Sequence, residues 1–186
     1  MKILFLSDIH GSLPSLDCVL DYYDTHHYEM LVLVGDLLNY GPRNGVCAGL
    51  DPLKVADRLN ERVSDIVAVR GNCDSEVDQM LLRFPTEGTY AIVADDGVRF
   101  FVTHGHIYND KNLPAGPACD VLLFGHTHLW QLRPADASKG MPVVVNTGSP
   151  TFPKGGNPPT FATWDGGELV VRTLPQGEPL ASLRIR

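Results

Sequence analysis

Five short apolar runs, each stopping at a polar cluster, constrain this chain most: Ile3 to Leu6, Leu31 to Val34, Ile66 to Val69, Phe100 to Val102 and Val121 to Phe124. Each has the length of a strand and is rich in β-branched or aromatic residues. They are too continuous for half-exposed strands and read as central strands buried on both faces. Helical patterns separate the first three. Ser12 to Asp24 repeats Leu16, Val19, Leu20 and Tyr23 at helical spacing. Asp51 to Val63 starts with Asp51 as N-cap and Pro52 at the first helical position, with Leu53, Val55, Ala56 and Leu59 directed inward. This β-α-β-α-β succession predicts an α/β domain with parallel strands. Glu76 to Arg83 is read as a third helix, broken by Pro85.

From Thr89 the pattern changes. Thr89 to Ala94 and Val98 to Val102 flank Asp95-Asp96-Gly97, a hairpin signal, and Asp165-Gly166-Gly167 marks another. The strands expected at Val143 to Val145, Thr160 to Trp164 and Leu169 to Thr173 suit an antiparallel sheet. Residues 134–179 hold 15 of the 32 Gly and Pro residues, so loops dominate there. No linker separates this region, and one domain spanning residues 1–186 is expected.

Charge and cysteine content narrow the partners. The 22 acidic residues outweigh 15 Lys and Arg, for a formal net charge of −7, with no basic stripe. Sequence-nonspecific nucleic-acid binding is therefore disfavoured. By itself this balance also disfavours an anionic substrate. Cys18, Cys47, Cys73 and Cys119 form no CxxC pair, so free thiols are expected, three of them in the core. The apolar run at the N-terminus is too short for a signal-peptide core, and no stretch has membrane-span length. A soluble, cytoplasmic protein is the expectation.

The polar residues at the end of each apolar run point to chemistry. The runs lead, in order, into Asp8-Ile9-His10, Gly35-Asp36, Gly71-Asn72-Cys73-Asp74, His104-Gly105-His106 and Gly125-His126-Thr127-His128. The carboxyl edge of an open α/β sheet is where ligands bind. Carboxylates, a carboxamide and imidazoles suit Mn, Fe, Zn or Mg rather than a soft thiolate site. Seven such donors exceed one tetrahedral ion and match two ions held ~3.5–4 Å apart.

This ordered set resembles the calcineurin-like metallophosphoesterase superfamily. The size and the sequence Gly71-Asn72-Cys73-Asp74 are most similar to the bacterial YfcE-type phosphodiesterases. The resemblance implies a four-layer α/β/β/α sandwich of two mixed sheets flanked by helices. It further implies a dinuclear centre, most commonly of manganese, with Fe, Zn, Ni and Mg as alternatives. One ion would be held by Asp8, His10, Asp36 and His128. The other would be held by Asp36, Asn72, His104 and His126, with Asp36 bridging. A bridging water or hydroxide would attack a small phosphodiester directly. Two dications would add +4 to the formal −7 and make the site locally positive.

Asp36, Asn72, His10 and His106 are the expected catalytic residues. Arg43, Cys73 and Asp74 are the expected substrate-binding ones. Most members of the family have a histidine where this chain has Cys73, and a thiol is a poor acid near neutral pH. Weak turnover of alkoxide leaving groups and better turnover of phenolate-like ones are expected, along with weak phosphomonoesterase activity. His106 could supply the missing proton, and Arg43 could hold a phosphate oxygen. Asp74 could also orient neighbouring residues. His26 and His27 are expected to meet the C-terminal carbonyls of the first helix. The competing reading is a protein-interaction scaffold of the same fold, as in the retromer subunit, against which stands the retention of all seven donors. Exposed apolar residues in the loop-rich end would suit a homo-oligomer.

Overall fold

The computed structural model describes residues 1–116 and 118–185. Alternation along the strands explains how the layers form. In β1 (Ile3–Leu6), Ile3 and Phe5 enter one apolar cluster while Leu4 and Leu6 enter another, because successive strand side chains point to opposite faces. The Leu4 and Leu6 face packs under α1 (Leu13–Thr25) and α2 (Pro52–Asn60), through Leu16, Val19, Leu20, Val55 and Leu59. The Ile3 and Phe5 face meets the second sheet at Val98, Phe100, Val121, Leu123 and Val145.

The first sheet includes β2 (Met30–Leu33), β3 (Ile66–Ala68), β9 (Thr160–Asp165), β10 (Glu168–Thr173) and β11 (Pro179–Arg184), in the order β11-β10-β9-β1-β2-β3. Strands β1, β2 and β3 run parallel, whereas β9 pairs antiparallel with β1. The second sheet has the order β4-β5-β6-β8-β7, with β4 (Tyr90–Asp95), β5 (Val98–Thr103), β6 (Val121–Phe124), β7 (Gln131–Arg133) and β8 (Val143–Asn146). A third helix, α3 (Glu76–Leu81), comes after β3. No helix among the described residues is long and apolar enough to cross a membrane.

The two mixed sheets with flanking helices are the expected α/β architecture, with several local corrections. Among the described residues, irregular chain carrying Tyr108, Cys119 and Met141 packs on the outer face of the second sheet. β3 is partly buried, because its place at the sheet edge leaves it one neighbour. β8 pairs parallel with β6 rather than antiparallel, since the chain returns through β7 on its far side. Leu53 is exposed at the first turn of α2. That helix stops at Asn60, whose side-chain amide donates to Leu81 O (2.8 Å) and accepts from Arg83 N–H (2.7 Å). The edge strands β7 and β11 have too little apolar alternation to be read from sequence. Cys18, Cys47 and Cys119 are half-buried rather than core, and all four thiols are free. At both hairpins the turn residues, Asp96-Gly97 and Gly166-Gly167, have positive φ, as the tight turns between twisted strands require. His26 Nδ1 meets the carbonyl of Tyr22 at 2.9 Å, closing the end of α1.

Candidate metal centre

The carboxyl ends of β1, β2, β3, β5 and β6 converge, and the loops leaving them continue the sheet hydrogen bonding. Asp8 N–H donates to Gly35 O (3.0 Å), His10 N–H to Asp36 O (3.0 Å) and Gly125 N–H to His104 O (2.9 Å). These turns are abrupt. Seven non-glycine residues among those described have positive φ, and five of them are Asp8, His10, Asp36, His126 and His128. Such a conformation costs about 1–3 kcal/mol per residue and persists only where the surroundings enforce it. Gly71 and Gly125 are required for another reason: a Cβ on Gly71 would collide with Asp36 Oδ1, and one on Gly125 with Ser7 Oγ.

Asp8, His10, Asp36, His104 and His128 are each no more than 3% exposed. Three imidazoles are fixed from behind by main-chain carbonyls at 2.8 Å: His10 by Asn39, His104 by Val34 and His128 by Phe152. A carbonyl only accepts, so Nδ1 carries the proton and Nε2 presents its lone pair to the centre. The His104 bond also ties the second sheet to the first. The inward atoms crowd one another. His10 Nε2 lies 3.3 Å from His128 Nε2, and Asp8 Oδ1 lies 3.2 Å from His128 Nε2 and 3.7 Å from His10 Nε2. Asp36 Oδ2 lies 3.4 Å from His104 Nε2 and 3.8 Å from His10 Nε2, facing both sides at once.

Asp8 Oδ1 is wholly buried and has no hydrogen-bond donor among the described residues. A buried carboxylate oxygen without a partner is costly. Lone pairs aimed at one another become favourable only around a shared cation, proton or metal. The protonation equilibria express the same demand. Burial alone would raise Asp8, but His10 and His128 hold it far below the ordinary carboxylate range. Burial would lower His104, yet Asp36 and Asp8 raise it to about 9. His10 is raised by the same carboxylates against its burial. Among the described residues, three donor groups have their ligand atoms within 4.8 Å of one another: Asp8 with His10 and His128, Asp8 with Asp36 and His104, and His10 with Asp36 and Cys73. The residues therefore fit divalent ions.

The remaining expected residues divide sharply. Asn72 is exposed, with Oδ1 3.1 Å from His104 Nε2, and His126 is half-buried with its ring 5.1 Å from that of His104. Burial and the charge of His104 lower the pKa of His126. Cys73 lines the cleft beside Asp36; burial and that carboxylate push its thiol up to about 12. His106 is exposed and lies outside the lining of the main cleft, with its ring 5.4 Å from that of His104. Arg43 lines the cleft.

Asp74 requires a correction. Its carboxylate does not face the cleft but accepts the main-chain N–H groups of Asp36 (2.9 Å), Leu37 (2.9 Å) and Gly71 (2.7 Å). It holds the backbone of the Asp36 and Gly71-Asn72 loops, and Asp74 is not among the residues lining the cleft.

Several contributors have no motif. Asn39 and Phe152 act through backbone carbonyls, which any residue could supply. Ser149 Oγ donates to Asp8 O (2.8 Å), and Asn146 Nδ2 to Gly125 O (2.8 Å). Asn44 Nδ2 lies 3.3 Å from His10 Nε2, and Lys154 lines the cleft. Their only sequence signal is position shortly after Asp36 or at and just after the end of β8.

Fold and centre together define a metallophosphoesterase. The chain belongs to the calcineurin-like phosphoesterase superfamily, whose domain model matches residues 1–168. It is 46% identical over 185 residues to phosphodiesterase YfcE of Escherichia coli K12, covering 100% of this chain and 98% of that one. The solved structure of YfcE, a phosphoesterase from E. coli, has a TM-score of 0.93 at 45% identity over 100% of both chains. Phosphodiesterase MJ0936 of Methanocaldococcus jannaschii is 27% identical over 135 residues, 69% of this chain and 74% of that one. Vps29 of Entamoeba histolytica, solved with Zn2+, shares the fold alone, with a TM-score of 0.62 at 19% identity over 100% of both chains.

Proposed function

We propose that this chain is a metal-dependent phosphodiesterase acting on small diesters, with weak activity on monoesters, through a dinuclear centre. The observation that carries the reading is the wholly buried Asp8 Oδ1, without a donor among the described residues and facing two imidazole lone pairs. Asp8, His10, Asp36 and His128 would hold one ion, and Asp36, Asn72, His104 and His126 the other. When bound, two divalent ions make water a better nucleophile near neutral pH and neutralise charge on the phosphoryl oxygens.

The chain's own residues do the rest. Val34, Asn39 and Phe152 fix the imidazole tautomers, and Asp74 fixes the backbone from which Asp36 and Asn72 project. Cys73 lines the cleft as a neutral thiol and supplies no effective proton to an alkoxide. Phenolate-like leaving groups should therefore leave faster than alkoxides; comparable rates for aryl and alkyl diesters would overturn that role. A cytoplasmic location, expected from the sequence, is part of the same proposal.

The test is a metal-swap assay on metal-stripped protein against a panel of monoesters and diesters. Manganese is expected to restore the most diester hydrolysis, with Fe, Zn, Ni and Mg compared alongside. Should no metal restore activity while Asp36→Asn leaves bound metal unchanged, the hydrolytic reading fails and the scaffold reading takes its place.

A further inference from the structure

The cleft over the centre, about 670 Å³, has a lining that says what the rest of the substrate should be. Among the described residues that line it there is no Phe, Tyr, Trp, Leu, Ile, Val or Met. No wall of large apolar side chains is offered to an acyl chain. Hydrogen-bonding groups line it instead, among them Asn39, Asn44 and Thr127, together with two cations, Arg43 and Lys154.

Those cations differ from most of their kind in this acidic chain. Lys2, Lys54, Arg58, Arg62, Arg70, Arg133 and Lys139 each pair with a carboxylate. The side chains of Arg43 and Lys154 have no hydrogen bond or ion pair among the described residues. Yet their backbones are held firmly, and both are held through the same part of the centre. Arg43 sits in a turn closed by Asn44 N–H to Gly41 O (2.8 Å), and Gly41 N–H bonds Asn39 Oδ1 (2.9 Å), while the Asn39 carbonyl anchors His10. Lys154 N–H donates to the carbonyl of His128 (3.0 Å). Its own carbonyl accepts from Asn157 Nδ2 (2.8 Å), and Asn157 Oδ1 is fixed by Trp130 Nε1 (3.1 Å). Each cation is thus anchored to one of the two histidines whose Nε2 atoms lie 3.3 Å apart.

We propose that Arg43 and Lys154 form an anion-binding pair on the His10 and His128 side of the cleft, and that the substrate is a small, polar phosphodiester bearing a second phosphate on its non-reacting end. This deepens the phosphodiesterase reading and rests on it. Arg43 supplies a planar fork for two phosphate oxygens and Lys154 a point charge.

The test uses manganese-loaded full-length protein and two p-nitrophenyl alkyl phosphodiesters that differ only at the far end of a propyl chain, hydroxyl against phosphate; a carboxylate analogue distinguishes phosphate from any anion. Wild type should favour the phosphorylated diester in kcat/KM by about tenfold or more, through KM, and less so at high salt. Arg43→Ala and Lys154→Ala should each lower that ratio, and the double variant should bring it to about one. Equal turnover of both diesters by wild type, or a preference that survives in the double variant, overturns the proposal, as does equal preference for the carboxylate. Equal losses on both diesters would instead place Arg43 on the reacting phosphate and also overturn it. A parallel calorimetric titration separates this proposal from the phosphodiesterase reading: propane-1,3-diol bisphosphate should bind wild type more tightly than the monophosphate and lose that advantage in the double variant. If no diester is hydrolysed at all, the phosphodiesterase reading fails, and the calorimetric result alone decides whether the anion pair exists.

Discussion

The donors of the centre are of two kinds, one buried and one accessible, and the division does not follow the two proposed ions: His104, grouped with Asn72 and His126, is as buried as Asp8 and His10. Asp8, His10, His104 and His128 are no more than 3% exposed, and each of the three rings is hydrogen-bonded from behind before any ion arrives. Asn72 and His126 are more exposed, and neither ring nitrogen of His126 has a hydrogen-bond partner among the described residues. A buried, preoriented set holds geometry at a cost in strain and desolvation. An accessible set leaves groups free to exchange partners as substrate enters and product leaves.

Removing the residue common to both proposed ions should produce the largest effect. Asp36→Ala is expected to lower diester hydrolysis by about a thousandfold or more, several kcal/mol of lost transition-state stabilisation, read as kcat/KM. Asp74→Asn comes next. It removes charge from three buried hydrogen bonds outside the cleft lining, and should weaken metal affinity by about 10–100-fold and lower the melting temperature. His126→Ala should weaken metal binding while leaving metal-free stability within about 0.5 kcal/mol, unlike His104→Ala, which removes a buried hydrogen bond between the two sheets. Equal melting temperatures for these two metal-free variants would erase the contrast. His106→Ala, outside the cleft lining, should change kcat by less than about threefold; a larger loss would restore it as the proton donor.

A pH titration sharpens the same contrast. His104 is raised to about 9 in the folded chain from an ordinary 6.5, so the folded state holds more protons between those values. Stability from this group is full below pH 6.5 and is lost as pH rises through 9. Metal-free protein should therefore melt at progressively lower temperature across that window, and bound metal, which replaces the proton, should flatten the slope. A flat metal-free profile would remove His104 from the cation-demanding set.

Much of this was legible in the chain itself. The runs ending in Asp8-x-His10, Gly35-Asp36, Gly71-Asn72, His104 and Gly125-His126-x-His128 announced both strands and donors, because a buried strand must be apolar and its ligand-bearing end polar. The N-cap Asp51 was equally plain, since capping is a local hydrogen bond. Asp74 was ambiguous for a physical reason: a carboxylate that binds substrate and one that binds three backbone N–H groups are the same residue until the loops of Asp36 and Gly71 are seen to meet it.

The sequence by itself determined most strands of the central sheets, the helices between the first three and the order of the donors, which depend on neighbours a few residues apart. Tertiary structure alone decided that β8 joins β6 in parallel, that main-chain carbonyls of Asn39, Val34 and Phe152 aim the imidazoles, and that Lys154 stands with Arg43 over the cleft. Those features arise where segments far apart in the chain are packed together, and a backbone carbonyl or a free lysine carries no residue-level mark of the company it will keep.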